Sequence, residues 1–186
     1  MSDIAILKEM IKEDATVPLE EKNGKNLVTL TEPDLPNCCV TIHGMPHNND
    51  VIIIKADKFK SPDMFIGSKG ECKRADFVIV ADTDTQQVIL CIEMKAKTKT
   101  TTEKKIIEQL KGAKCFAAYC QKIGKEFWEQ PTFLDSYVYR FVTIRNINID
   151  IRPTRGEKTV THDSPERMLK ISSPKGLQFN RLIGGK

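Results

Sequence analysis

The sequence predicts an α/β protein built around a mixed β-sheet flanked by helices. Apolar runs of strand length occupy residues 76–81 and 88–95, and the turn-rich segment between them is typical of a β-hairpin. A helical pattern follows at residues 101–123, and the next strand pattern lies at residues 136–145. The connection through this helix is long enough for a parallel crossover, so we expect parallel and antiparallel pairs in one sheet.

The two hairpin strands are expected at the centre of the sheet. Their sequences, DFVIVA and VILCIEMK, are apolar at nearly every position rather than at every second position. A strand with two apolar faces is typical of a sheet that is covered on both sides.

The predicted helix has one apolar stripe and two end signals. Thr100-Thr101-Thr102-Glu103 fits a capping box in which the Thr100 hydroxyl accepts from the Glu103 N–H. Gly124 is a typical C-terminal stop. Spacings of four, three, four and three residues separate the stripe positions, which are Ile106, Leu110, Ala113, Ala117 and Cys120.

The N-terminal part of the chain predicts a helix followed by short strands. Residues 3–13 place apolar side chains on one helical face, and a short strand is expected near Leu27–Leu30. CCVTI (38–42) and VIIIKA (51–56) read as two strands, and the turn residues between them predict a second hairpin.

The C-terminal part predicts one more strand and a basic extension. Residues 147–151 alternate apolar and polar side chains, as in a half-buried strand. From Pro153 the chain is polar and basic, with a short helix expected at Ser164-Pro165-Glu166. We therefore expect one domain over residues 1–186, with a core over about 1–151 and an extension over 152–186.

Composition excludes several classes of protein. Apolar residues make up 40% of the chain and charged residues 29%, which is ordinary for a globular domain. No apolar run approaches the roughly 20 residues of a membrane-spanning helix, so no membrane partner is expected. The N-terminal residues lack the pattern of a secretion signal. We therefore expect a cytoplasmic protein whose six cysteines are reduced.

Positive charge is concentrated in two stretches. Residues 94–126 contain 9 lysines against 3 glutamates, and residues 136–186 contain 10 basic against 4 acidic residues. Such stretches favour a polyanionic partner, nucleic acid first. The alternative is a solvated, lysine-rich helix face with no ligand.

Charged residues at one end of the central hairpin predict a metal site. Glu93 and Lys95 point to the same face of an extended strand, and Met94 points to the other. The equal arms of the hairpin bring Asp76 beside Glu93. Two neighbouring carboxylates repel each other and need a cation, and Mg²⁺ commonly binds through one or two carboxylates, several waters and a substrate phosphate.

Asp76, sixteen residues, and then Glu93-Met94-Lys95 resemble the PD-(D/E)XK nuclease superfamily, the restriction-endonuclease-like fold. The resemblance covers roughly residues 1–145 through the order of elements, which is α-β-β-β-α-β. Ala75 stands where the signature has Pro.

The resemblance implies a role for each motif residue. Asp76 and Glu93 would bind a divalent metal, Mg²⁺ with Mn²⁺ as a substitute, and the backbone carbonyl of Met94 would complete the set. Lys95 would assist the attacking water, and Gln109 on the following helix would touch the site. An acidic residue on the first helix, Glu9 or Glu13, is a candidate for an additional metal ligand.

The function expected from the sequence is metal-dependent hydrolysis of phosphodiester bonds, most readily in DNA. Restriction, anti-phage defence and repair all fit such an activity, and a homodimer or a partner subunit would help to grip the target. The residues expected to contact phosphate are Lys73, Arg74, Lys97 and Lys99. The alternative is a catalytically inactive module that keeps the nuclease fold and only binds nucleic acid or assembles with a partner.

Overall fold

The computed structural model describes residues 1–32, 35, 37–60, 64–95, 102–145, 161–172, 174 and 176–184. The described strands are β1 (Glu20–Lys22), β2 (Lys25–Thr31), β3 (Cys39–His43), β4 (Val51–Lys55), β5 (Phe77–Asp82), β6 (Gln87–Lys95), β7 (Val138–Arg145), β8 (Leu169–Ser172) and β9 (Leu177–Gln178). The described α-helices are α1 (Asp3–Met10), α2 (Glu103–Phe127) and α3 (Phe179–Leu182).

The main sheet has five strands in the order β4-β5-β6-β7-β8. β5 pairs with β4 and β6 in antiparallel fashion, whereas β7 pairs with β6 and β8 in parallel fashion. The predicted hairpin and the predicted crossover through α2 are both present, and the α/β class is confirmed.

Two helices cover one face of the main sheet. Ser2 caps α1, since its hydroxyl accepts a hydrogen bond from the Ala5 N–H, and Ile4 and Leu7 of this helix are buried. The predicted apolar stripe of α2 is also buried, and it packs with alternate side chains of β5 and β6 such as Val78 and Cys91. Along the chain, α1 precedes β4, β5 and β6, and α2 leads into β7.

The other face of the main sheet is covered by a second sheet, and not by the helices expected from the sequence. This sheet has the strand order β1-β2-β3-β9. Val28, Leu30, Val40 and Ile42 of β2 and β3 pack against side chains of β5, β6 and β7. The short helix α3 adds Phe179 and Leu182 to the same core. Both faces of the central strands are therefore buried, as their composition predicted.

The prediction that residues 38–42 and 51–56 form a hairpin is wrong. The two strands exist as β3 and β4, but they belong to different sheets. Between them the chain passes through Gly44, whose φ is +69°, and through a 3-10 helix at Asn48–Asp50. β4 is buried on both faces and pairs with β5 at the edge of the main sheet, whereas β3 lies in the covering layer.

The described residues after 160 add strands to both sheets and side chains to the core. β8 is an edge strand of the main sheet, and β9 and α3 lie in the covering layer. The expected short helix is present as a 3-10 helix at Pro165–Arg167. The strand predicted at 147–151 and the first part of the predicted extension, 152–160, lie outside the described residues.

The ends of α2 differ from the prediction. Thr102, not Thr100, is the N-cap, and its hydroxyl accepts from the Lys105 N–H. The helix continues through Gly124 to Phe127. Close packing requires glycine at position 124, because a Cβ here would lie 2.2 Å from Cδ1 of Phe133.

None of the helices in the described part of the chain combines the length and the apolar character needed to cross a membrane. The six cysteines are all described, and all are free thiols.

The packing at Gly112 predicts the sign of one mutation. A Cβ at Gly112 would lie 1.7 Å from the main-chain oxygen of Lys73, so α2 and the segment before β5 touch here through backbone. Gly112→Ala should therefore lower the free energy of unfolding by about 1–3 kcal/mol, as overpacking does. Helix propensity alone would raise it by about 1 kcal/mol.

Urea unfolding measures this free energy, and Ala118→Gly on the exposed side of α2 is the control for propensity. A Gly112→Ala variant that is more stable than the wild type would contradict the close contact.

Candidate active site

The side-chain alternation of the main sheet brings three charged residues to its helix-facing side. On β6, Ile89 and Cys91 pack with the helices, whereas Ile92 and Met94 pack with the second sheet. Glu93 and Lys95 continue the first series and thus face the helices. The register that pairs Phe77 with Ile92 sets Asp76 opposite Glu93. The structure therefore places these three side chains together, as the spacing predicted.

Short contacts fix the three side chains. The Met94 N–H donates a hydrogen bond of 2.7 Å to Oδ2 of Asp76. Nζ of Lys95 forms an ion pair with Oε1 of Glu93 at 2.5 Å. The exposed fraction is 7% for Asp76 and 0% for Glu93, so both carboxylates are almost completely removed from water. No described group donates a hydrogen bond of normal geometry to Oε2 of Glu93.

Burial raises the pKa of both carboxyl groups. For Glu93 the charge of Asp76 adds to the effect of burial, and Lys95 opposes it. For Asp76 the hydrogen bond from Met94 and the charge of Lys95 oppose the effect of burial without cancelling it. Desolvation acts to lower the pKa of Lys95, but its neighbouring carboxylates, Glu93 foremost, outweigh it and raise this pKa. The site thus holds two carboxylates that one ammonium group does not fully neutralise.

A basic cleft of about 470 Å³ adjoins this cluster. Lys95 lines this cleft together with Gln109, the α2 residue that was predicted to touch the site. Lys105 also lines it and was missed, although it lies four residues before Gln109 and so on the same helical face. The cleft brings basic side chains next to the carboxylates, which suits an anionic ligand.

Two residues predicted to contact phosphate line the same cleft. Lys73 forms an ion pair with Glu108 of α2. Arg74 donates hydrogen bonds to the main-chain oxygens of Glu71 and Lys73, and its guanidinium lies 5.3 Å from the ring centroid of Phe59. Lys97 and Lys99 lie outside the described residues.

The two candidates for an additional acidic ligand lie elsewhere. Glu9 is exposed and accepts a hydrogen bond of 3.0 Å from Nε1 of Trp128. Trp128 follows the last residue of α2, nineteen residues after Gln109, or about 28 Å along a helix. Glu13 is exposed in a 3-10 helix, and the carboxylates that raise the pKa of Asp76 are Asp57 and Glu32 instead.

Glu32 is an acidic residue of the site region that the sequence did not indicate. It follows the last residue of β2 in the second sheet, and its exposed fraction is only 5%. Its charge acts on both Asp76 and Lys95. Sequence reasoning missed it because EPDLP reads as an ordinary polar turn, and because nothing local shows that the second sheet covers this end of the main sheet.

The chemistry of these groups fits Mg²⁺ or Mn²⁺. A buried carboxylate oxygen without a hydrogen-bond donor, beside a second carboxylate, is a ligand set that gains from a hard divalent cation. Within the described residues no group of three or more His, Cys, Asp or Glu side chains is placed to hold a metal. A cation here would therefore rest on Asp76, Glu93, main-chain oxygen and water, as Mg²⁺ sites often do.

Comparison of the chain with protein-family models, with curated proteins and with solved structures finds no match. The interpretation of the site therefore rests on its own residues.

The raised carboxyl pKa values predict how stability changes with pH in the absence of metal. Between the ordinary carboxyl pKa and the raised one, the folded protein binds more protons than the unfolded chain, so stability falls as the pH rises through this window. Glu93→Gln removes one buried carboxylate. In EDTA, its melting temperature should exceed that of the wild type by several degrees at pH 8, and by less at pH 5.

Thermal unfolding followed by circular dichroism across pH 5–8 tests this prediction. Glu126→Gln, at an exposed position near the end of α2, is the control that should follow the wild type. The stated electrostatics would be contradicted if the melting temperature of the wild type rose relative to that of Glu93→Gln as the pH increased.

Proposed function

We propose that this protein is a metal-dependent nuclease that hydrolyses phosphodiester bonds, with DNA as the favoured substrate. The observation that carries the proposal is the pair of buried carboxylates, Asp76 and Glu93, held side by side with Lys95 next to a basic cleft. A second buried carboxylate adds nothing to a structural ion pair, whereas two neighbouring carboxylates are a ligand set that Mg²⁺ commonly uses in phosphoryl chemistry.

The order of elements on the main sheet supports the PD-(D/E)XK resemblance. With the second-sheet strands β1–β3 set aside, which lie between α1 and β4, the elements α1, β4, β5, β6, α2 and β7 come in the order helix, three strands, helix and strand. The motif residues lie at the end of β6 and just before β5, and Gln109 reaches the same cleft from α2. We infer a restriction-endonuclease-like core that carries a second sheet on its outer face.

Each residue of the site has a defined part in this proposal. Asp76, oriented by the Met94 N–H, and Glu93 would hold the cation, together with the main-chain carbonyl of Met94. Bound Mg²⁺ lowers the pKa of a water ligand and neutralises charge on the phosphate. Lys95 keeps its proton on Nζ, because its carboxylate neighbours outweigh desolvation, and it presents a positive charge to the phosphate. Gln109 and Lys105 line the path by which the nucleic acid backbone enters.

Loss of one metal ligand should abolish cleavage and spare binding. Glu93→Gln keeps the shape of the side chain and removes the charge that holds the cation, so cleavage with Mg²⁺ in excess should fall by about 10³-fold or more. Nucleic acid binding in EDTA should change little, because it depends on the basic cleft. Plasmid, linear duplex, single-stranded DNA and RNA are assayed in parallel, with Glu126→Gln as the control.

Cleavage by Glu93→Gln at the wild-type rate would refute the nuclease assignment. Binding of nucleic acid by a wild type that never cleaves any of these substrates would favour the inactive binding module instead.

Replacement of Lys95 separates metal binding from chemistry. Lys95→Met retains both carboxylates and should still bind Mn²⁺, whereas the cleavage rate at saturating substrate should fall by about 10²–10⁴-fold. Isothermal titration with Mn²⁺ and single-turnover cleavage measure the two quantities. The outcome that would contradict this division is a variant that loses Mn²⁺ binding but keeps the wild-type rate.

A further inference from the structure

Polar residues cross the main sheet in a row that starts at the candidate active site. The strand registers pair Glu93 of β6 with Thr143 of β7, and Thr143 with Lys170 of β8. Two residues further along the parallel strands, Lys95 pairs with Arg145. Neighbouring strands lie about 4.8 Å apart, so Thr143 and Arg145 are immediate neighbours of the motif residues.

The side chains of this row face the helices. On β7, Phe141 packs with the helix-facing core, whereas Val142 and Ile144 pack with the second sheet. Thr143 and Arg145 therefore lie on the same side of the sheet as Glu93 and Lys95. Lys170 confirms this direction for β8, because its Nζ reaches Oε2 of Glu103 in the first turn of α2 at 2.8 Å.

Among the described residues, two members of this group, Thr143 and Arg145, have buried polar atoms with no hydrogen-bond partner. Oγ1 of Thr143 is one of these atoms, and the exposed fraction of Thr143 is 0%. Nε and Nη2 of Arg145 are buried in the same way. Buried polar groups are nearly always paired, and an unpaired buried donor costs stability. An arginine in this state beside a candidate catalytic centre lacks an acceptor that a ligand can supply.

Arg140 on the same strand is an arginine with a structural role, and it differs from Arg145 in its hydrogen bonds. It faces the opposite side of the sheet, where its Nε donates to the main-chain oxygen of Ile183 at 3.1 Å and its Nη1 to that of Tyr139 at 2.9 Å. The charge of Arg145 acts on the carboxylate of Glu103, but this carboxylate already accepts a hydrogen bond from Lys170. Another cation thus engages this carboxylate.

We infer that Arg145 and Thr143 form a phosphate-binding subsite for the nucleic acid strand, next to the two carboxylates. The inference rests on the proposed function and adds a contact outside the recognised motif. A guanidinium group binds phosphate through two parallel N–H donors, and a threonine hydroxyl donates a third hydrogen bond. The subsite holds the phosphate that neighbours the one being cleaved, so the strand runs from β6 across β7.

Arg145 is a positioning residue in this arrangement, since the bond that breaks lies at Asp76 and Glu93. The substrate backbone would then be fixed on both sides of the reacting phosphate, by the cleft around Gln109 on one side and by β7 on the other. Holding a strand at two points is an efficient way to align a scissile bond with an attacking water.

Binding measured without cleavage tests the subsite. Fluorescence anisotropy of a labelled 20-nucleotide DNA, single-stranded and duplex, is recorded in EDTA between about 50 and 200 mM salt, a range over which affinity that depends on phosphate contacts falls steeply. Arg145→Met should bind at least about tenfold more weakly than the wild type, and the slope of log K against log salt should fall by about 1. Thr143→Val should weaken binding less and leave the slope unchanged.

Stability distinguishes a ligand subsite from a structural role. Arg145→Met removes donors that have no acceptor, so its melting temperature in the absence of nucleic acid should equal or exceed that of the wild type. Arg140→Met removes two hydrogen bonds to main-chain oxygens and should melt at a lower temperature. Lower stability of Arg145→Met with unchanged affinity and salt slope would overturn the inference.

The two proposals fail in different ways. Wild-type protein that binds neither DNA nor RNA at low salt would refute the proposed function and the subsite together. Wild-type binding that Arg145→Met retains with the same salt slope would refute the subsite alone. A decrease of about 1 in the slope of log K against log salt for Arg145→Met would support the subsite even if the protein proves to be an inactive binding module.

Discussion

The burial of Asp76 beside Glu93 is the interaction on which the rest of the site depends. Two carboxylates removed from water repel each other, and one lysine offsets only part of the cost. The fold tolerates them because their strands are held by apolar packing on both faces, with helices on one side and a second sheet on the other. A cation bound between the two carboxylates would offset this repulsion and stabilise the folded protein.

The chemistry-bearing groups lie where the sheet changes from antiparallel to parallel pairing. β6 pairs with β5 on one side in antiparallel fashion and with β7 on the other in parallel fashion. The first pair brings Asp76 to Glu93, and the second sets Thr143 and Arg145 beside the same motif. Because α2 connects β6 to β7, its first turns lie over this edge and add Lys105 and Gln109. The hairpin and the crossover connection together therefore assemble residues from four segments of the chain.

The local parts of this arrangement could be predicted from the sequence. The alternation of Glu93, Met94 and Lys95, the equal arms of the hairpin and the apolar stripe of α2 depend on neighbouring residues only. The position of β3 could not be predicted, because an apolar strand does not reveal which of two sheets will accept it. Glu32 and Arg145 were missed for the same reason: both join the site through packing or register between segments that are distant in sequence. Gly124 resembled a helix stop because the contact with Phe133 that requires it is not visible in the local pattern.

The central claim is that Asp76 and Glu93 share one divalent cation. Anomalous diffraction from a crystal grown with Mn²⁺ tests it directly, since the ion is located without reference to activity. The account predicts a strong anomalous peak about 2.1 Å from an oxygen of each carboxylate, with Lys95 displaced from Glu93. A Mn²⁺ peak on other residues, or no peak while the Glu93–Lys95 ion pair persists, would contradict it.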